Sequence, residues 1–414
     1  MAPASHPLGD GHFARAVDRP ETIEQLKEAV SRRASEGTAI YPQGGRTALD
    51  YGGIPGATGV AIDTTALNRV IDYPAADMTI TVEAGITLEA LRATLAEQTQ
   101  RLAIEAPHPD RATLGGIFAC NVTGPRRFGL GRPRDAIIGV GFVDGAGNLV
   151  KGGGRVVKNV AGYDLPKLLT GSLGTLGVIC QLTLKVRPAP EATAIVWATY
   201  DRPEAVAEAL DRLNTSATRP VALDLLNRPA AAHLGDPLGL PEAPWVLVVG
   251  FEEAKEAVAW QLQAVRSELK GAALGVVEGT EAPPLWSALT EFQAAGLGPV
   301  SFAATLRPSS VLRYVAAIDP GRWAIQAHAG NGIVLGHALG DWNEPEADAA
   351  IARLRDPAVA DGGALTLPRC PTAWKPRLRV WGDPRPDWDL ARRVKRALDP
   401  KGVMNPGRFV VTMG

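Results

Sequence analysis

Apolar positions recur along this chain in two rhythms, one helical and one alternating. In residues 21–36, ETIEQLKEAVSRRASE, Ile23, Leu26 and Val30 fall at helical spacing, and the following GTAIYPQGGRT reads as a strand ending in a glycine turn. Short strand candidates follow at GVAID, RVIDY and MTITVEAG, then a helix from Thr87 (TLEALRATLAEQ) and a glycine-rich region reaching Arg134. In LGVICQLTLKVRP, Val178, Cys180, Leu182, Leu184 and Val186 alternate with Gln181, Thr183, Lys185 and Arg187, which predicts a strand with one buried face. The run RPAPEA then marks a boundary.

Beyond it the texture changes to AIVWATY (strand), PEAVAEALDRLN (helix), WVLVVGF (strand) and EEAKEAVAWQLQAVRSEL (helix), with further candidates through Arg355. This region reads as α+β, and its strand–helix–strand rhythm suggests paired ferredoxin-like units. Near the end, PDWDLARRVKRALDPKGVMNPGRF offers Asp387 as a helix cap and Leu390, Val394 and Leu398 on one face, with Pro400 and Gly402 as the stop. Its basic run ARRVKR reads as a solvated helix face. Asp387 and Asp389 share that helix and no aromatic stacking platform accompanies it, so nucleic-acid binding is not expected.

At 414 residues the chain is expected to form two or three domains, and 43 Lys+Arg against 44 Asp+Glu leave no global field to recruit nucleic acid or an anionic membrane. Cys120, Cys180 and Cys370 form no C-x-x-C, so neither a disulfide framework nor an iron–sulfur site is suggested and a cytoplasmic location fits. The longest apolar run, Trp245–Phe251, is too short to cross a bilayer. Any membrane contact is expected to be peripheral, at the inner membrane, through partner proteins.

The chain lacks G-x-x-x-x-G-K-[ST], a G-x-G-x-x-G between strand and helix, and H-E-x-x-H. Three other glycine-bearing segments carry the candidate chemistry. In YPQGGRTALD, Pro42 ends the strand's pairing, Gly44 and Gly45 allow positive φ, and successive N–H groups beside Arg46 and Thr47 form a candidate nest for a pyrophosphate. In APHPDRATLGGIFACNVTGPRRFGLGRPRD, Thr113, Gly115, Gly116, Ala119 and Asn121 place only small or hydrogen-bonding side chains where a flat polar ligand could approach. In KNVAGYDLPKLLTGSLGTLGVI, which also includes Gly162, Asp164 caps a short helix with Pro166 in its first turn and Gly171 suits the left-handed stop. Gly174 and Gly177 suggest backbone against a ligand, with crowding by neighbouring chain as the alternative.

The order PQGGRT, PDRATLGGIFACNVTG, GRPRD, GSLGTLGVI and DPKGVMNPGRF resembles the FAD-binding domain of the vanillyl-alcohol oxidase (PCMH-type) flavoprotein family, strongly over residues 20–190 and again over 390–409. GGRVVKNVAGYDLPKLLTGSLGTLG is most similar to the FAD-binding E subunits of bacterial glycolate oxidases. The resemblance implies a non-Rossmann α+β fold: two α/β subdomains over 1–188, an inserted α+β ferredoxin-like cap over 189–385, and a C-terminal return over 386–414. On matching positions it implies cofactor contacts from Pro42, Gln43, Gly44, Gly45, Arg46, Thr47, Pro109, Asp110, Thr113, Gly115, Gly116, Ala119, Asn121, Gly174, Thr175, Gly177 and Ile179, with Asn405 near the flavin ring. Members that attach FAD covalently use His or Cys, and QGGRT contains neither, so binding is expected to be non-covalent. The resemblance also implies a D-type flavin subunit and an iron–sulfur F subunit as partners.

Oxidation of a small 2-hydroxy acid needs a cationic clamp for the carboxylate and a base for the hydroxyl proton. Candidate clamps are Arg307, Lys375, Arg377 and Arg379, and candidate bases are His328 and His337. QAHAGNGIVLGHA partly resembles the H-x-G-D-G-N-x-H metal motif of D-2-hydroxyacid dehydrogenases, but Asn331 stands for the aspartate, Ile333 for the asparagine, and His337 comes late, so no metal is expected. Two alternatives to a complex subunit stay open: a self-sufficient FAD-dependent D-2-hydroxyacid dehydrogenase, and a scaffold that kept the fold without the chemistry. Trp374, Trp381 and Trp388 lie among arginines, a composition suited either to an interface or to core packing.

Overall fold

The computed structural model describes residues 6–155, 163–269 and 271–410. Gly162 and the stretch before it lie outside the described residues. The chain divides into two units, one of Met1–Thr123, Arg132–Ala189 and Asp383–Gly414, the other of Gly124–Gly131 and Pro190–Gly382.

In the first unit, strands Ala16–Asp18, Gly59–Asp63 and Ala39–Gln43 form a parallel sheet in that order. Helix Ile23–Ser35 begins where the Thr22 hydroxyl accepts from the Gln25 N–H, and it buries Leu26, Ala29, Val30 and Ala34 with Ile40 and Ile62. Each large side chain so buried contributes about 1.5–3 kcal/mol. Pro42 does not end the pairing, because Gln43 still pairs with Asp63. Ile40, two residues earlier, donates to Val403 O and accepts from Asn405 N, so Pro42 turns its missing N–H toward that other edge and leaves the Gly59–Asp63 ladder intact. The returning C-terminal segment therefore docks as a parallel neighbour of Ala39–Gln43, with Ile40 bridging Met404.

The second sheet of this unit is antiparallel, ordered Leu149–Gly153, Ile137–Val143, Val178–Lys185, Thr79–Glu83, Val70–Asp72. Val178–Lys185 is its central strand, and both of its faces are largely covered. The expected single buried face fails because Thr183 is buried too, its hydroxyl 3.1 Å from that of Thr81 on the next strand.

The second unit is one eight-stranded antiparallel sheet built from two βαββαβ halves. Strands Ala192–Tyr200, Ala222–Asn227, Trp245–Glu253 and Ala273–Glu278 form the first half, and Ser301–Thr305, Trp323–His328, Ile333–Ala338 and Ala364–Arg369 the second. Each half has its first strand between its third and fourth, the ferredoxin-like order, and the halves join where Asp224–Leu226 pair with Gln326–His328. The crossover helices Pro203–Asn214, Lys255–Glu268, Val311–Ala316 and Glu344–Ala360 pack on one face, while Arg228–Leu238 and Ala282–Glu291 cover the other. Trp374 and Trp381 pack against the first of these cores.

Segment Gly124–Gly131 joins this unit through Gly129 N–H to Val221 O (2.9 Å) and Arg126 to Glu252 (2.6 Å). Among the described residues no helix is long and apolar enough to cross a membrane.

Candidate functional site

The three glycine-bearing segments and the C-terminal segment meet in the first unit. Gly44 and Gly45 do not adopt positive φ; Arg46 does, at 57°. The glycines are needed for close approach instead. A Cβ on Gly44 would overlap the Thr113 hydroxyl, and one on Gly45 would overlap Arg111 O. Gln43 supports the loop from behind: its Nε2 donates to Pro7 O (2.9 Å), and its Oε1 accepts from His6 Nε2 (2.6 Å). With Nε2 protonated, His6 Nδ1 is the acceptor for Arg46, 3.5 Å away. Gln43 is thus a buttress whose side chain is committed to the N-terminal ribbon.

Helix Leu114–Cys120 starts at Thr113 and turns Leu114, Ile117 and Phe118 into the core. Gly115, Gly116 and Ala119 remain half-buried on its other face. Gly115 lies against Ala84 and donates to its carbonyl (2.7 Å), so its size is set by the fold. Gly116 is different: a Cβ there would meet only the Thr113 hydroxyl. Asn121 ends the helix in the left-handed conformation, as an asparagine can. Pro109 O accepts from Glu89 N–H (2.9 Å), while Asp110 is exposed in the turn beside it.

Asp164 caps helix Leu165–Leu169 as expected, its carboxylate accepting from Lys167 N–H, and Gly171 follows with φ of 83°. The loop continues across the end of the previous helix, where Gly171 N–H donates to Phe118 O (2.9 Å) and Leu173 N–H to Ala119 O (2.8 Å). Gly174 takes φ of 67° and faces Pro42 and Asn405. Gly177 follows the crowding alternative, since a Cβ there would lie 2.6 Å from Val143 O and 2.7 Å from the Phe142 ring. Ile179 pairs with Phe142 in the sheet. Asn405 Nδ2 donates to Leu173 O (2.5 Å) while its N–H donates to Ile40 O (2.7 Å), which joins the loop, the strand and the C-terminal segment.

Two observations test this junction as a cofactor cradle. Among the described residues the N–H groups of Gly44, Gly45, Arg46 and Thr47 have no protein acceptor, an array suited to anionic oxygens. The Ser172 hydroxyl is buried without a partner, and the Gly116 face is open. An extended, flat, doubly charged dinucleotide fits that set of donors. A family profile described as FAD binding domain matches residues 14–153, and one described as FAD linked oxidases, C-terminal domain, matches 189–341 and 383–409. Together the two matches span most of the chain. FAD is accordingly its cofactor, and it is an FAD-linked oxidoreductase.

Glycolate oxidase subunit GlcD of Bacillus subtilis (strain 168) is 27% identical over 95% of this chain and 88% of its own length. Glycolate oxidase subunit GlcE of Escherichia coli (strain K12) is 36% identical over 45% of this chain and 53% of its own length. A solved alkyldihydroxyacetonephosphate synthase superposes with a TM-score of 0.67 at 18% identity, covering 95% of this chain and 77% of the other, a likeness of fold.

In the second unit of this FAD-linked oxidoreductase, His328 ends a strand with its ring buried, and its Nδ1 lies 2.8 Å from the wholly buried Asp224 carboxylate. Gln326 Nε2 donates to the other oxygen of Asp224 (2.6 Å). The sequence named His328 but not Asp224, which becomes its neighbour only through the pairing of two strands distant in the chain. His337 Nε2–H donates to Phe292 O (2.7 Å), so its Nδ1 accepts from the Ser301 hydroxyl (2.8 Å). Burial pushes its pKa down to about 4. With both nitrogens occupied and the ring neutral, His337 is a structural histidine that can serve neither as metal ligand nor as base. Among the described residues no three His, Cys, Asp or Glu cluster as a metal site.

Of the candidate clamps, Arg307 grips Asp361 with two guanidinium nitrogens (3.0 and 2.7 Å). Arg377 pairs with Asp348 (2.9 Å). Lys375 is buried and Arg379 is exposed with φ of 50°.

Sequence reasoning missed the residues that fix the C-terminal segment. Lys395, read as part of a solvated face, is buried, because the helix Trp388–Leu398 turns it inward beside Val394 and Leu398. Asp387 stands at the start of that helix but makes no capping hydrogen bond. Leu390 is exposed. Arg408 is buried against Asp10 (2.5 Å), Gly53 O (2.8 Å) and Leu8 O.

Proposed function

We propose that this chain binds FAD non-covalently and oxidises a small 2-hydroxy acid, glycolate in the leading reading, as one flavin subunit of a complex. The unpaired N–H array of Gly44–Thr47, opposite the small residues of the Leu114–Cys120 helix, is the observation that carries the cofactor part of this reading. The names of the similar glycolate oxidase subunits support the substrate class.

Pro42–Thr47 would take the pyrophosphate, Thr113–Asn121 would line the cofactor, and Gly174 with Asn405 would stand at the flavin end. When bound, FAD supplies the two-electron acceptor for the C–H bond at the hydroxyl-bearing carbon. His328 is the candidate for holding the hydroxyl proton at Nε2, with Asp224 fixing its ring through Nδ1. Substitution tests of the carboxylate clamp take Arg307, Lys375, Arg377 and Arg379 in turn, with Arg307 and Arg377 held by Asp361 and Asp348 in this structure.

The cysteines offer no iron–sulfur set, so electrons would leave through oxygen, a soluble acceptor or a second protein, and the leading reading takes a D-type flavin subunit and an iron–sulfur subunit as that route. Dye-linked turnover of glycolate is expected only when those partners are added to the FAD-loaded chain. Full turnover by the chain alone would favour the second reading, a self-sufficient D-2-hydroxyacid dehydrogenase, which the likeness of nearly the whole chain to D-lactate dehydrogenases supports.

A further inference from the structure

Helix Trp388–Leu398 sends one ammonium group into the interior of the first unit. Lys395 Nζ donates to Asp399 Oδ2 (2.5 Å), Thr175 O (2.6 Å) and Met404 O (2.7 Å), so all three of its protons are engaged. The side chains of the pair are 4% and 0% exposed, which removes them from solvent screening. Asp399 in turn accepts from Val403 N–H (3.1 Å) and Met404 N–H (2.8 Å), closing the turn after the helix.

A buried ion pair loses much of its attraction to desolvation, and apolar residues could pack this helix as well. What apolar residues could not do is draw two main-chain carbonyls from distant segments onto one point. Those carbonyls flank the flavin end of the candidate site: Thr175 follows Gly174, and Met404 precedes Asn405, which itself donates to Leu173 O (2.5 Å).

We propose that Lys395 is a positioning residue for the cofactor, holding the Gly171–Gly177 loop and Asn405 together as one wall at the flavin end. The inference rests on the FAD reading above. The pyrophosphate loop is supported separately, through Gln43, His6, Pro7 O and Thr113, so loss of the clamp should spare the ADP end of the site.

The test is titration of the full chain and its variants with FAD and, separately, with ADP. Lys395→Met should weaken FAD binding by about tenfold or more, the effect of a lost charged hydrogen bond, while ADP affinity stays within about twofold. The double variant K395M/D399N removes both buried charges and keeps an acceptor for Val403 and Met404. It should restore apo-protein stability without restoring FAD affinity. Equal weakening of FAD and ADP, or wild-type FAD affinity in the folded double variant, overturns the proposal. Hydrogen exchange on the wild-type chain reads the same wall without any substitution: FAD should protect Leu173–Thr175 and Met404–Asn405 together, and protection of neither segment overturns it. Absence of any FAD binding by the wild-type chain would overturn the FAD reading itself and this inference with it.

Discussion

Single residues in this chain divide between those whose chemistry is visible in the sequence and those defined by a neighbour far away. Gly44 and Gly45 were legible as special, yet their reason is the approach of Thr113 and Arg111, which only the folded loop supplies. Gly177 shows the opposite outcome, since the strand Ile137–Val143 fully accounts for its missing side chain. His337 was a candidate base until its neighbours became visible. Its folded pKa of about 4 lies below the ordinary 6.5, so the unfolded chain binds the extra proton first. Stability from this group is therefore complete above about pH 6.5 and falls as pH drops toward 4, by on the order of 3 kcal/mol. In His337→Gln an amide can serve both Ser301 and Phe292 O without titrating. Denaturant unfolding across that pH window should show a shallower acid loss in the variant than in wild type; parallel curves would contradict this account.

At the scale of elements, the strongly periodic segments were readable because each helix had a cap and one apolar face: Thr22 with Ile23–Ser35, Thr87 with Leu88–Ala96, and Asp164 with Leu165–Leu169. The paired ferredoxin-like rhythm was readable from apolar periodicity alone, since helices Pro203–Asn214 and Lys255–Glu268 have no side-chain cap. What the sequence concealed were consequences of pairing between distant strands and of interior polar contacts. Lys395 sits in a run that looks basic and solvated, and only the fold brings Thr175 and Met404 to it. Asp224 likewise acquires its role at the junction of the two halves, where His328 and Gln326 both depend on its carboxylate. Asp224→Ala would strand those buried groups and should lower the unfolding free energy by about 3 kcal/mol, read by urea denaturation. A change below about 0.5 kcal/mol, typical of an uninvolved site, would show that the junction does not depend on this cluster.

For the whole molecule, the ordered glycine motifs pointed to the FAD-linked oxidases because backbone contacts leave a trace of small residues at fixed places. The substrate left no comparable trace. A clamp and a base are single side chains, and Arg307, Arg377 and His337 show how readily such residues serve the fold instead. The similar glycolate oxidase subunits pull the reading two ways, a local likeness to an E-type subunit and a near full-length likeness to a D-type one. The most direct measurement is the visible flavin spectrum of the purified, FAD-saturated chain before and after anaerobic glycolate. The account predicts a flavin that stays with the protein through gel filtration and is bleached by glycolate in a single turnover once the partner subunits are added. Colourless protein that cannot take up FAD, or bound flavin that glycolate leaves oxidised even with partner subunits present, would contradict it.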